Sequence, residues 1–177
     1  MTEGETALVL RVPDAEPIVG RWRATLDSSA ALGVPAHVTV LYPWIRFPQL
    51  SAQDLAAITA IAAAADPIEL SFPAMGAFPD VLWLDPQPQQ PILSLIAAVA
   101  ARWPERPPYG GAFGDAPVPH LTVAASCEPA ELGHVIADIE RRLPFMARVA
   151  ELTLLVRRPR GWAIDATFPF RAQSSGA

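Results

Sequence analysis

Two short segments of this chain place a histidine and a threonine two positions apart. Residues 37–39 read His-Val-Thr and residues 120–122 read His-Leu-Thr. Because side chains at i and i+2 point to the same face of a β-strand, each segment would present its imidazole and its hydroxyl together, with the apolar residue turned away. The chain has only three histidines, and two of them carry this pattern. The repetition indicates that the two segments act together.

A pair of imidazoles beside a pair of hydroxyls suits the cleavage of a phosphodiester. One imidazole can take a proton from the attacking hydroxyl or water while the other gives a proton to the leaving oxygen, since the ordinary histidine pKa lies near neutrality. The hydroxyls can donate to the non-bridging phosphate oxygens, where charge rises in the transition state. This chemistry needs no metal and no cofactor, and we expect neither. It would be carried by His37, His120, Thr39 and Thr122, with acid and base left unassigned.

The predicted elements around the two segments recur in the same order. Strand, helix, His-x-Thr strand, helix and strand extend over about residues 6–78 and again over about residues 81–170, so an internal duplication is expected. This order predicts one α+β domain over residues 1–177 with two lobes related by a pseudo-twofold axis. Antiparallel sheets would enclose a central cleft, with the helices outside. Residues 171–177 are expected to fray.

Several elements can be predicted in more detail. Asp14 is a candidate N-cap for a helix over residues 15–26, and Ser51 with Asp54 resembles a capping box that opens an alanine-rich helix. Further helices are predicted over residues 89–103 and 129–143. Residues 148–157 and 162–168 should pair as a hairpin.

Composition and charge exclude several classes of protein. The net charge is −5 and the isoelectric point is about 5.1, which argues against a broad basic surface for nucleic acid. The single cysteine, Cys127, excludes an intrachain disulfide and a four-cysteine zinc site. The apolar runs are too short to span a bilayer, and the acidic N-terminus is unlike a signal peptide. We therefore expect a soluble, cytoplasmic protein, a monomer that does not associate with membranes.

Aromatic residues near the two segments are candidates for substrate contact. Tyr42, Trp44 and Phe47 follow the first segment and could stack on a base or pack in the core. Tyr109 and Phe113 belong to a Pro- and Gly-rich loop before the second segment, where they could form a lid. The other candidates have plainer explanations, because the arginine pairs, His134 and Cys127 are expected to be solvated or inert.

The two segments together resemble a known family. Residues 35–43 (Pro-Ala-His-Val-Thr-Val-Leu-Tyr-Pro) and 119–123 (Pro-His-Leu-Thr-Val) are similar to the paired signatures of the two-histidine (2H) phosphoesterase superfamily, in its bacterial 2′-5′ RNA ligase-like branch. The resemblance implies a bilobal fold and metal-independent hydrolysis or transesterification of 2′,3′-cyclic or 2′-5′-linked nucleotides. It also implies that His37 and His120 are the acid/base pair and that Thr39 and Thr122 bind phosphate.

One departure from the family pattern bears on the substrate. Members of this branch often carry a basic residue shortly after the second motif, whereas here Val123 is followed by Ala-Ala-Ser. This argues against RNA ligation and favours a small nucleotide or the end of an oligonucleotide, ending in a 2′,3′-cyclic phosphate. Two alternatives remain open. The chain could be a nucleotide-binding module that has lost turnover, or a structural duplicated domain.

Overall fold

The computed structural model of the chain describes residues 2–112, 117–127 and 132–172. In chain order its strands and helices are β1 (Thr6–Arg11), α1 (Glu16–Leu26), α2 (Ser28–Ala31), β2 (His37–Leu41), α3 (Ala52–Ala64), β3 (Ile68–Phe72), β4 (Met75–Phe78), β5 (Val81–Leu84), α4 (Gln90–Arg102), β6 (Leu121–Ala125), α5 (Gly133–Glu140), β7 (Phe145–Val149), β8 (Glu151–Arg158) and β9 (Gly161–Pro169). The predicted α+β class is confirmed.

The sheets are antiparallel and exchange strands between the two repeats. One has the order β2-β1-β8-β9 and the other the order β4-β5-β6, while β3 and β7 form a separate pair. In each repeat the first strand therefore lies between its own motif strand and a strand contributed by the other repeat. This exchange ties the two lobes together, because neither sheet can form from one repeat alone.

The pairing register repeats as closely as the strand order. Val9 pairs with Thr39 across β1 and β2, and Trp83 pairs with Thr122 across β5 and β6. In both sheets a bulge follows at once, with Leu8 opposite Leu41 in the first and Leu82 opposite Ala124 in the second. A bulge inserts one unpaired residue and sharpens the local twist. The duplicated fold thus reproduces the backbone irregularity beside each motif.

A continuous apolar core joins the two lobes. Its helical contributions include Ile18, Ile58, Ile92 and Ile139, from α1, α3, α4 and α5. Helix α1 packs on β6, and α4 packs on β2, so each of these helices supports the motif strand of the other repeat. Burial of a side chain of this size contributes roughly 1.5–3 kcal/mol. The positions of the motif strands are therefore fixed by core packing.

Most predicted helix boundaries agree with the structure. The capping box is confirmed, since Ser51 Oγ accepts from the Asp54 amide at 3.1 Å and the Asp54 carboxylate accepts from the Ser51 amide. The prediction of Asp14 as an N-cap is wrong. A 3₁₀ turn over Pro13–Ala15 leads into α1, and Ala15 at the N-cap position makes no side-chain cap.

The C-terminal hairpin is confirmed, with a correction to its first strand. Strands β8 and β9 pair from Glu151↔Pro169 to Arg158↔Gly161. The predicted strand over residues 148–157 is interrupted at Ala150, because β7 pairs with β3 whereas β8 pairs with β1. Helix α5 is described from Gly133 and ends at Glu140. Within the described ranges, no helix has both the length and the apolar character needed to cross a bilayer.

Candidate active site

The two His-x-Thr segments lie on neighbouring strands, with their apolar residues buried. Strands β2 and β6 are in contact. Val38 and Leu121 are fully buried, whereas the histidine and threonine of each segment are only partly buried. The alternation expected from the sequence is therefore present, and it leaves two imidazoles and two hydroxyls on the other face of their strands.

Each imidazole is oriented by a backbone carbonyl two residues earlier. His37 Nδ1 lies 2.8 Å from the Pro35 oxygen, and His120 Nδ1 lies 2.8 Å from the Val118 oxygen. A carbonyl oxygen can only accept, so Nδ1 carries the proton in both rings. When such a ring is neutral, its Nε2 has a free lone pair and can accept a proton. The two motifs thus hold their histidines in the same tautomer.

Burial depresses the basicity of both histidines. It lowers the pKa of His37 to about 4, with smaller effects from the Pro35 carbonyl and Asp27, which raise it, and from Arg23 and His120, which lower it. Burial also lowers the pKa of His120, against the Val118 carbonyl. The charge of His120 acts on His37, which is consistent with two rings that serve one site. Both imidazoles are therefore mainly neutral near pH 7 before a substrate binds.

The surroundings of the second motif are aromatic. The ring of His120 packs edge-on against Phe78 and Trp83, with centroid distances of 5.3 and 6.2 Å. Trp83 lies across Gly76 on the next strand, where a Cβ atom would come within 2.3 Å of the indole. Any residue with a Cβ atom at position 76 would displace the indole, so its position requires a glycine there. Phe78 and Trp83 were not predicted from the sequence as part of the site, although strand register places Trp83 beside Thr122.

The surroundings of the first motif include Tyr109. Its hydroxyl is hydrogen-bonded to the side chain of Thr39, and its amide donates to the Tyr42 carbonyl at 2.6 Å. Tyr109 has a left-handed backbone with φ 53°, which is unusual for a residue with a side chain and is found most often at functional sites. Two aromatic residues predicted from the sequence, Tyr42 and Tyr109, thus reach the first motif.

Tyr42 is held at the edge of this site. Its ring packs edge-on against Tyr109 and Trp162, and its hydroxyl donates to Glu5 at 3.1 Å. Burial, then the Glu5 carboxylate, raises the pKa of Tyr42 to about 12. Phe113, the third predicted substrate contact, lies outside the described residues.

Other residues singled out in the sequence lie away from the motifs. Trp44 is only 1% exposed and packs against Trp103, and Phe47 packs under the Arg158 guanidinium, so stacking of either on a base is not supported. His134 is exposed on α5, in contact with Trp22. Cavities of about 360 Å³ between α3 and α4, and about 320 Å³ beside the β8–β9 turn, are not lined by motif residues. No cluster of His, Cys, Asp or Glu suited to a metal ion occurs in the described part of the chain.

Comparisons with solved structures show that this chain shares its fold with known proteins. The chain is similar in structure to LigT of E. coli in complex with 3′-AMP, with a TM-score of 0.59 and 19% identity over 96% of this chain and 99% of that one. The complex of LigT with NADP+ gives a TM-score of 0.59 and 17% identity, covering 97% of this chain and 100% of the other. The protein TT0787 of Thermus thermophilus gives a TM-score of 0.59 and 17% identity over 96% and 100%.

Identities this low show a shared fold. A comparison with curated protein sequences found no match. The model of the 2′-5′ RNA ligase superfamily, however, matches residues 11–161, a range that contains both motifs and the strand β5 that pairs with the second of them. This chain therefore belongs to the 2′-5′ RNA ligase superfamily, whose members are 2H phosphoesterases.

Proposed function

We propose that this chain is a phosphodiesterase in which His37 and His120 act as the acid/base pair on a nucleotide phosphodiester. The favoured substrate is a 2′,3′-cyclic or 2′-5′-linked nucleotide, free or at the end of an oligonucleotide. Membership in the superfamily supports phosphodiesterase-type activity. The observation that carries the assignment of residues is the matched pair of imidazoles on β2 and β6, two contacting strands of different sheets, each with its Nδ1 proton held by a carbonyl.

The reaction on a 2′,3′-cyclic phosphate needs one neutral and one protonated imidazole. Nε2 of the neutral ring takes a proton from water as the water oxygen bonds to phosphorus. The bond from phosphorus to one ribose oxygen breaks, and the protonated ring gives its Nε2 proton to that oxygen. Burial lowers both pKa values, and the negative charge of a bound phosphate favours the protonated form of the ring it faces. Substrate binding therefore raises the pKa of that ring, so that the ring takes up a proton from solvent and can act as the acid.

Thr39 and Thr122 would donate to the non-bridging oxygens of the phosphate. The Tyr109 hydroxyl is hydrogen-bonded to the Thr39 side chain, so it lies within reach of a phosphate oxygen that Thr39 would bind. A phenol there would supply a phosphate contact of the kind that is missing after the second motif, where Ala124 and Ala125 follow. Tyr42, packed beside Tyr109, would border the sugar or base, and Phe113 remains a predicted contact from the same loop.

The test is a panel of 2′,3′-cyclic nucleotides with matched 2′-5′- and 3′-5′-linked dinucleotides, followed by phosphorus NMR. The parent protein should open the cyclic phosphates, and His37→Ala and His120→Ala should each slow turnover by about 100- to 10,000-fold. His134→Ala is the matched control, because this exposed histidine lies on α5 and should not affect the rate.

The outcome also separates the proposal from its alternative. Equal rates for the parent protein and the two motif variants would rule out the acid/base roles. Nucleotide binding measured by calorimetry, with no product from any member of the panel, would instead favour a binding module. The absence of a basic residue after the second motif is the observation that favours that second function.

A further inference from the structure

A buried ion pair lies beside the first motif and has no role in the reaction described above. Arg23 of α1 is 2% exposed and Asp27 is 4% exposed. The Arg23 guanidinium donates to the Asp27 carboxylate through Nε at 3.2 Å and Nη2 at 3.0 Å. Both charges act on His37. Buried charges are expensive unless they are paired and hydrogen-bonded, so such a pair beside a reactive histidine requires an explanation.

The same helix holds the peptide segment that leads into His37. Arg23 Nη2 donates to the Val34 carbonyl at 3.2 Å, and Glu16 Oε1 accepts from the Ala36 amide at 2.6 Å. The first contact holds the carbonyl before Pro35, and the second holds the amide after it. The Pro35 carbonyl between them accepts the Nδ1 proton of His37. The charged side chains of α1 therefore fix the acceptor that orients the imidazole.

Among the described residues of the second repeat, no charged side chain of α4 holds the segment before His120 in this way. Residues 16–19 read Glu-Pro-Ile-Val and residues 90–93 read Gln-Pro-Ile-Leu, at the start of α1 and of α4. Gln90, the counterpart of Glu16, donates to Ser94 on its own helix at 3.4 Å. Pro119 precedes His120 as Ala36 precedes His37, and a proline has no amide hydrogen to donate. Within the part of the chain that the structure describes, the network supports His37 and has no counterpart at His120.

We propose that Glu16 and Arg23 are positioning residues for His37, acting through the peptide segment between Val34 and Ala36. The inference rests on the proposed function for its kinetic part, because a misplaced general acid or base slows catalysis steeply. Asp27 holds the Arg23 guanidinium in place and, through its other oxygen, accepts from the amide and hydroxyl of Ser29. The three residues together make the orientation of His37 depend on α1.

Glu16 offers the sharpest test, because its side chain is 42% exposed. Its carboxylate also lies 3.7 Å from Arg23 Nη1, so the uncharged Glu16→Gln separates loss of this ion pair from loss of the acceptor. Glu16→Ala removes the acceptor for the Ala36 amide, whereas Glu16→Gln keeps an oxygen there. Gln90→Ala is the matched control at the corresponding position of the other repeat. We expect Glu16→Ala to lower kcat about 10- to 100-fold with little change in KM, while Glu16→Gln and Gln90→Ala stay close to the parent protein.

Nitrogen-15 NMR of the histidine rings gives a readout that does not need a substrate. Glu16→Ala should reduce the population of the His37 tautomer with a protonated Nδ1 and leave His120 unchanged. If Glu16→Ala keeps the parent spectrum of His37, or if Gln90→Ala alters kcat as strongly as Glu16→Ala does, the positioning role is wrong. Because the spectra are read without turnover, failure of the proposed function would appear separately, as a parent protein that forms no product.

Discussion

The two motif strands share a backbone plan but have different surroundings. In both, the threonine pairs across a strand next to a bulge, and the histidine donates its Nδ1 proton to a carbonyl two residues earlier. His37 lies close to a buried pair of charges, Arg23 and Asp27. His120 instead lies against the rings of Phe78 and Trp83.

This difference shows which features a duplicated site must keep. Geometry at the reacting atoms depends on strand register and on the tautomer of each ring, and these are the same in both repeats. The support behind each ring can differ, because charged hydrogen bonds and aromatic packing can both hold an imidazole. They are not equivalent in electrostatics, since only the charged pair changes the proton affinity of the ring through its field.

The largest effect is expected in the pH dependence of stability, through His37. The pKa of His37 is about 4 in the folded protein and about 6.5 when unfolded, so the unfolded state binds more protons between these values. Stability should therefore fall as the pH is lowered from about 6.5 to about 4, by about 3 kcal/mol from this residue. Urea unfolding at several pH values measures this change in the free energy of unfolding.

Replacing each motif histidine by leucine tests whether that residue causes the loss of stability. His37→Leu should flatten the decline between pH 6.5 and 4, and His120→Leu should flatten it in the same direction, since burial lowers both pKa values. A parent protein equally stable at pH 7 and pH 4.5 would contradict the burial of a neutral His37.

A smaller effect is expected when the aromatic support of His120 is disturbed. In Gly76→Ala the new Cβ atom would lie 2.3 Å from the Trp83 ring, so the indole must move away. We expect a loss of about 1–3 kcal/mol in the free energy of unfolding, together with a shift of the His120 ring signals and none for His37. Circular dichroism and NMR provide the two measurements.

Gly133→Ala is the matched control for this change. A Cβ atom at Gly133 meets no atom within 4 Å, and the residue begins α5. This variant should be as stable as the parent protein or slightly more stable, because alanine favours helix. If both glycine variants behave alike, Trp83 does not depend on the space above Gly76.

The smallest effect is expected at Tyr109, on the side of the first motif. Tyr109→Phe removes the hydroxyl bonded to Thr39 and keeps the ring packed against Tyr42. If the phenol contributes one hydrogen bond to the phosphate, kcat/KM should fall about 2- to 10-fold. Tyr42→Phe, which loses only its bond to Glu5, should change kcat/KM less. The opposite ranking would place Tyr42, and not Tyr109, at the phosphate.

The sequence was sufficient for the features that depend on local order. The alternation of His-Val-Thr-Val predicted which side chains share a face, because the period of a strand is two residues. The recurrence of elements predicted a duplicated α+β fold, and the Ser51–Asp54 box predicted the start of a helix. The strand alternation and the capping box follow from contacts within a few residues, and the duplication follows from comparing the two halves of the chain.

Other features were decided by tertiary structure alone. The exchange of β4 and β8 between sheets, the placement of Phe78 and Trp83 beside His120, and the reach of Tyr109 to Thr39 all join residues far apart in sequence. The hydrogen bonds of Glu16 and Arg23 to the segment before His37 also depend on tertiary structure. A linear pattern shows which residues could react and on which face they lie. Packing across the two repeats determines what surrounds each ring. The burial and the nearby charges that result set the proton affinity of that ring.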